Sequence, residues 1–179
     1  MLTLLVGGAR SGKSALAIEM AGHAGLPVSF IATAEALDSE FAERIARHRA
    51  ERPEHWETIE EPVELERALA RTADGTVVVV DCLTLWVSNL FGRGLEDEDE
   101  IVARATRFAA SAHERRSRVV VVSNEVGSGI VPADALSRRY RDVLGRVNAT
   151  FATHADEAYL VVAGRLLALS AAEPPKGPT

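Results

Sequence analysis

The chain is short of three things, and each shortage excludes a class of protein. It has one cysteine, Cys82, which rules out an intrachain disulfide and leaves too few thiols for a cysteine-ligated zinc site. It has no surplus of positive charge. Lysine and arginine number 20 against 26 aspartates and glutamates, a formal net charge of −6, which argues against electrostatic capture of a nucleic-acid backbone. It also lacks any apolar run near the roughly 18 residues that mark a membrane span. No basic segment precedes its first apolar stretch, which runs straight into a glycine-rich loop. A cytoplasmic protein without a signal peptide or integral membrane segment is therefore expected.

What is present is an ordinary globular composition, and 179 residues suffice for one domain to bury a sizeable core. Short β-branched runs recur, separated by segments of helical periodicity. Strands are expected at Leu2–Val6, Val28–Ala32, Thr76–Asp81, Arg118–Ser123 and Glu157–Val162. Two of them, TVVVVD and RVVVVS, hold unbroken valines where a half-exposed strand would alternate, as a parallel strand buried on both faces does. Helices are expected between them: from Gly12 to about His23, from Asp38 to about Arg49, then Val63–Arg71, Glu98–Arg115 and Ala133–His154. The alternation implies βαβ crossovers, hence a single α/β domain with a mainly parallel sheet flanked by helices. That domain is expected over residues 1–169, with 170–179, SAAEPPKGPT, as a disordered tail.

Gly7-Gly8-Ala9-Arg10-Ser11-Gly12-Lys13-Ser14 matches the phosphate-loop pattern G-x-x-x-x-G-K-[ST] in full. It stands where the chemistry needs it, directly after a strand and directly before a helix, so the α/β fold is expected to be like that of the P-loop NTPases. Backbone N–H groups and the helix N-terminus would cradle a phosphate chain, Lys13 would reach the terminal phosphates, and the Ser14 hydroxyl would ligate Mg²⁺. VVVVD delivers Asp81 to the C-terminal edge of a buried strand, where ligands of open α/β sheets bind. Asp81 is thus a candidate ligand of the metal or nucleotide, the alternative being a cap for the helix in TLWVSNLF.

The segment ALDSEFAERIARHRAERPEHWETIEEP carries Arg44, Arg47, Arg49 and Arg52. Either these arginines face an anionic ligand, or they pair with Glu40, Glu43 and Glu51 on a solvated helix face. Phe41, Ile45 and His48 fall at i, i+4 and i+7, so the imidazole shares the apolar face of that helix. His48 is either a half-buried structural residue or a nucleophile whose phosphate target the arginines hold. His23, His55, His113 and His154 are given no role.

Five blocks in register, GGARSGKS, RIARHRAERPEHWETIEEP, VVVDCLTLWVSNL, SNEVGSGIVP and RDVLGRVN, resemble the bifunctional adenosylcobinamide kinase/adenosylcobinamide-phosphate guanylyltransferases of cobalamin biosynthesis. The resemblance runs from Leu2 to Val162. It implies phosphorylation of adenosylcobinamide by GTP or ATP, then transfer of GMP from GTP to adenosylcobinamide phosphate through a GMP–histidine intermediate at His48. It also implies Mg²⁺ with the nucleotide and a homotrimer. The nucleotide contacts it implies are Gly7–Ser14, the turn Thr33, Ala34 and Glu35, the run Arg49, Ala50, Glu51 and Arg52, one of Glu60 and Glu61, and Asp81. The C-terminal stretch VVAGRLLALSAAEPPKGPT departs from the family's glycine, proline and terminal lysine. Asn124 and Glu125 in SNEVGSGIVP are expected at the same sheet edge, flanked by the flexible glycines Gly127 and Gly129. Two leaner readings differ in kind. A plain kinase of a small alcohol would need only the loop and Asp81, and a nucleotide-switched module would bind without turnover.

Overall fold

The structure, a computed structural model, describes residues 1–36 and 38–171. The tail expected to be disordered lies outside the described residues, apart from Ser170 and Ala171. In chain order the elements are β1 (Leu2–Gly7), α1 (Lys13–Gly22), β2 (Val28–Ala32), α2 (Ser39–Ala50), β3 (Glu57–Glu60), α3 (Leu65–Arg71), β4 (Val77–Asp81), α4 (Leu83–Gly92), α5 (Glu98–Glu114), β5 (Val119–Asn124), α6 (Ala135–His154), β6 (Glu157–Val162) and β7 (Arg165–Ala168).

The strands form one sheet in the order β3-β2-β4-β5-β1-β6-β7, parallel throughout except for the final antiparallel pair. The valine runs sit in the middle and are buried on both faces. Val78, Val80, Val119 and Val121 point into a core built with α3, α4, α5 and α6, whereas Val77, Val79, Val120 and Val122 point the other way, toward Ala17 and Ala21 of α1. Period-two alternation therefore exists in these strands, but both sides of it are apolar. The apolar stretch Leu83–Phe91 is a buried helix: Leu83, Trp86, Val87 and Leu90 are all in the core. The Trp86 indole N–H donates to the Val63 carbonyl at 2.7 Å.

Two strands were not expected from the sequence. The edge strand β3, ETIE, has exposed glutamates at both ends and one buried residue, Ile59, and pairs only with β2. The strand β7 follows a two-residue turn, Ala163-Gly164, in which both residues have positive φ (50° and 72°). That is the backbone of a type I′ hairpin, here spelled without its usual Asn or Asp. Every residue of β7 is exposed, so no buried stripe marked it. Among the described residues no helix is long and apolar enough to cross a membrane.

Candidate active site

Parallel strands deliver their C-terminal ends to one edge of the sheet, and the residues singled out from the sequence converge there. A cavity of about 860 Å³ opens over that edge. Its floor and one wall come from Ala9–Ser14 and Asp81, and α2 supplies the opposite wall with Phe41, Arg44, Ile45, His48 and Arg49.

The phosphate loop is held by its neighbours on the sheet. The Gly164 N–H donates to the Ser11 carbonyl at 2.8 Å, and the Glu125 N–H donates to the Gly7 carbonyl at 3.0 Å. Gly12, the N-cap of α1, has φ 99°, and a Cβ there would come 3.3 Å from the Gly164 Cα. A Cβ at Gly7 would run into the Val161 carbonyl. Glycine is required at both positions, at one for its left-handed backbone and at the other for close approach. The Lys13 side chain is buried and its ammonium donates to the Gly8 carbonyl at 2.7 Å and to Ser11 Oγ at 3.3 Å. Burial lowers its pKa, and the nearby Cys82 and Asp81 raise it.

Asp81 is not the cap of α4. That position is Cys82, and no side chain caps the helix. Burial pushes the Asp81 carboxyl above the usual carboxylate range, while the Ser14 hydroxyl, His48, Arg52 and Lys13 pull it back down. A carboxylate beside a hydroxyl at the head of the phosphate loop is a hard-oxygen donor pair. It fits Mg²⁺, which takes few protein ligands and completes its shell from phosphates and water. The Cys82 thiol, raised by burial to about 11, is a neutral wall of the cavity.

Thr33 is fully buried beneath Asp81. Its hydroxyl accepts from the Cys82 N–H at 2.8 Å and donates to the Cys82 carbonyl at 2.8 Å, and its own N–H donates to the Asp81 carbonyl at 3.1 Å. Asn89 of α4 donates through Nδ2 to the Thr33 and Pro62 carbonyls at 2.7 and 3.1 Å, tying the turn after β2 to α4. On the other side, Asn148 of α6 accepts from Ser123 Oγ at 2.6 Å and donates to the Asn124 carbonyl at 2.9 Å. This fixes the end of β5 and gives the RDVLGRVN block a structural reason. Asn124 lines the cavity; Glu125 does not, and its Oε1 accepts from the N–H groups of Gly127 and Ser128.

Helix α2 is capped by Asp38, whose carboxylate accepts from the Phe41 N–H at 2.7 Å. None of its residues is buried; Phe41, Ile45 and His48, at their i, i+4, i+7 spacing, are its half-covered face and are turned into the cavity. The imidazole is 40% exposed, with Nδ1 3.5 Å from Glu51 Oε2. Of the four arginines singled out from the sequence, Arg44, Arg49 and Arg52 line the cavity and Arg47 does not. Arg49 reaches across to Glu60 at 3.2 Å, and Glu51 lies by His48. The Arg52 guanidinium lies 3.7 Å from the centroid of the Phe30 ring, and its Nε has no partner among the described residues.

Of the residues picked out from the sequence, the cavity gathers Ala9, Arg10, Ser11, Gly12, Lys13, Ser14, Ala34, Glu35, His48, Arg49, Glu51, Arg52, Glu60 and Asp81. It does not gather Gly7, Gly8, Thr33, Ala50 or Glu61. Within the Glu60–Glu61 pair the division is clear: Glu60 faces the cavity, whereas Glu61 accepts from the Val63 and Glu64 N–H groups at the start of α3. Thr84 and Leu85 on α4 also line the site. The sequence carried no signal for them beyond an apolar helix.

A family model described as cobinamide kinase / cobinamide phosphate guanyltransferase matches residues 3–169. The chain is 44% identical over 165 residues to the bifunctional adenosylcobalamin biosynthesis protein CobP of Pseudomonas aeruginosa, covering 92% of this chain and 94% of that protein. It is 42% identical over 177 residues to the bifunctional adenosylcobalamin biosynthesis protein CobU of Escherichia coli, covering 92% and 97%. Among solved structures, the RadB recombinase superposes with a TM-score of 0.51 at 19% identity, over 89% of this chain and 73% of that one, which is a likeness of fold. The phosphate loop, the strand-end acid and the histidine-bearing helix thus sit in a chain that belongs to the cobinamide kinase / cobinamide phosphate guanyltransferase family.

Proposed function

We propose that the protein phosphorylates the aminopropanol hydroxyl of adenosylcobinamide with a nucleoside triphosphate, and then transfers GMP from GTP to the adenosylcobinamide phosphate so formed. The observation that carries this reading is that His48 opens into the same cavity as the phosphate loop and Asp81. A plain kinase would have no use for an imidazole there.

In the kinase step the substrate hydroxyl attacks the γ-phosphorus, the bond to the β-phosphate oxygen breaks, and the nucleoside diphosphate leaves. Lys13 and the loop N–H groups hold the transferring charge. In the transfer step a neutral imidazole nitrogen of His48 attacks the α-phosphorus of GTP, and pyrophosphate leaves along the phosphate loop. An oxygen of adenosylcobinamide phosphate then attacks the same phosphorus, the P–N bond breaks, and the imidazole is regenerated with adenosyl-GDP-cobinamide as product. The covalent intermediate divides one displacement into two easier ones. Arg44, Arg49 and Arg52 stand around His48 where the anionic phosphorus centre would lie. Mg²⁺ bound through Ser14 and Asp81 would neutralise charge on the phosphate oxygens. By family resemblance the chain assembles as a homotrimer, and the exposed Val162, Leu166 and Leu167 of the β6–β7 hairpin are apolar enough to support self-association.

The test is incubation with GTP labelled at the α-phosphate. The reading requires an acid-labile label on the protein that is absent in His48→Ala. Absence of any label on the unaltered protein would reduce it to a kinase.

A further inference from the structure

Three adjacent strands, β4, β5 and β1, end beside the phosphate loop, and strand alternation decides which of their last residues face it. Val79 of β4, Val122 of β5 and Leu5 of β1 all pack on the side of α1, the helix that follows the loop. Asp81, Asn124 and Gly7 each lie two residues further along, so all three share that face. Ser123 points the opposite way, where Asn148 of α6 meets it. Asn124 pairs in register with Gly7, the first residue of the loop. Asp81 pairs with Val122, so Asn124 stands one strand over and two residues on, about 8 Å away. Both residues line the cavity.

The fold makes no use of the Asn124 side chain. An asparagine at a strand end ordinarily satisfies backbone groups in the turn that follows. Here other residues do so. The Asn124 N–H donates to Thr84 Oγ1 at 2.9 Å, and its carbonyl accepts from Asn148 Nδ2 at 2.9 Å. The next turn is held by Glu125, whose N–H donates to the Gly7 carbonyl and whose carboxylate accepts from the Gly127 and Ser128 N–H groups. Among the described residues Asn124 makes hydrogen bonds only through its backbone. Its carboxamide, with two N–H donors and one acceptor, therefore hangs from a fixed root toward the loop. A phosphate chain on the loop ends near Lys13 on one side and the Ser14–Asp81 pair on the other, and β5 is the strand between β1 and β4.

We propose that Asn124 is a catalytic residue of the kinase step, donating Nδ2–H to an oxygen of the terminal phosphate and keeping that contact while the phosphoryl group passes to the acceptor hydroxyl. The inference rests on the kinase half of the proposed function. A neutral donor suits the position. Asp81 already supplies a carboxylate for a cation, and a second carboxylate would repel the charge spread over the transferring phosphoryl oxygens. In the attack of His48 on the α-phosphorus, the terminal phosphate is only the far end of the leaving group, so the contact matters less there.

The experiment compares the unaltered protein with Asn124→Ala and the isosteric Asn124→Asp. Three quantities are read at saturating nucleotide: transfer of the γ-labelled phosphate of ATP to adenosylcobinamide, formation of the α-labelled GMP adduct, and Tm without nucleotide. Asn124→Ala should lower kcat of the kinase step by about 100-fold, the loss typical of one preorganised donor. Adduct formation should fall by less, and Tm should hold. An equal fall in both reactions, or kinase turnover restored by Asn124→Asp, overturns the donor role; so does a Tm several degrees lower in both variants, which would make the side chain part of the fold. A binding measurement is independent of turnover. The α,β-methylene analogues of GTP and GDP, whose α-phosphorus is blocked from displacement, should differ in affinity by about tenfold less in Asn124→Ala than in the unaltered protein, the loss of one hydrogen bond to a charged group. If the unaltered protein phosphorylates adenosylcobinamide and Asn124→Ala matches it, this inference falls and the proposed function stands. If the unaltered protein transfers no phosphate while the affinity ratio shrinks as expected, the phosphate contact stands and the proposed function falls.

Discussion

Replacing Thr33 by valine separates two roles that the turn after β2 could play. The family resemblance makes Thr33 a nucleotide contact, but the structure buries it completely and commits its hydroxyl to both backbone groups of Cys82. Valine keeps the shape and removes the hydroxyl. The Cys82 carbonyl would still receive the Trp86 N–H at 3.1 Å, but the Cys82 N–H would lose its acceptor. An orphaned buried donor costs about 1–3 kcal/mol, which for a chain of this size lowers Tm by about 2–12 °C. The assay is thermal unfolding without nucleotide, followed by GTP titration of the folded variant. Thr33→Ser restores the hydroxyl and should recover most of the loss. The reasoning is refuted if Thr33→Val melts with the unaltered protein while GTP affinity drops, because the hydroxyl would then be a ligand.

Three further outcomes follow from the geometry. Asp81 is pushed up by burial, so between its unfolded value of about 3.9 and its folded value the native chain holds more protons than the unfolded one, and stability falls as pH rises through that window. At pH 7 the ionised carboxylate is a net cost, and Asp81→Asn should raise the Tm of the nucleotide-free protein, by about 2–4 °C for each kcal/mol recovered, while reducing transferase turnover; a lower Tm contradicts the sign. Gly12→Ala forces a methyl group onto a left-handed backbone against Gly164, and should cost about 1–2 kcal/mol in chemical denaturation together with loss of nucleotide binding. Arg52→Lys keeps the charge but not the guanidinium over Phe30, and should cost about 0.5–2 kcal/mol of stability, lowering Tm by about 2–4 °C for each kcal/mol lost; an unchanged Tm contradicts the stack.

Much of the fold was legible because its signals are local. The two valine runs announced strands covered on both faces, and the phosphate-loop pattern between a strand and a helix named a nucleotide site. The spacing of Phe41, Ile45 and His48 marked the face of α2 that does turn into the cavity. The elements missed lack such signals. The strand β3 is a charged edge, and β7 is exposed along its whole length behind an Ala-Gly turn. What the sequence could not display are pairings between distant residues. Arg52 meets Phe30, Arg93 meets Glu35, and Thr33 meets Cys82 only because β2, α2 and α4 converge on one sheet edge. The same convergence divides Glu60 from Glu61, two adjacent acids that look alike in sequence but face a cavity and a helix N-terminus respectively.

The central claim is that His48 carries GMP. Its most direct measurement is peptide mass analysis of the protein after exposure to GTP and Mg²⁺, with and without a chase of adenosylcobinamide phosphate. The account predicts one added GMP on the peptide that contains His48, removed by the chase as adenosyl-GDP-cobinamide appears. GMP on a different residue, or product formed by His48→Ala at the unaltered rate, would contradict it.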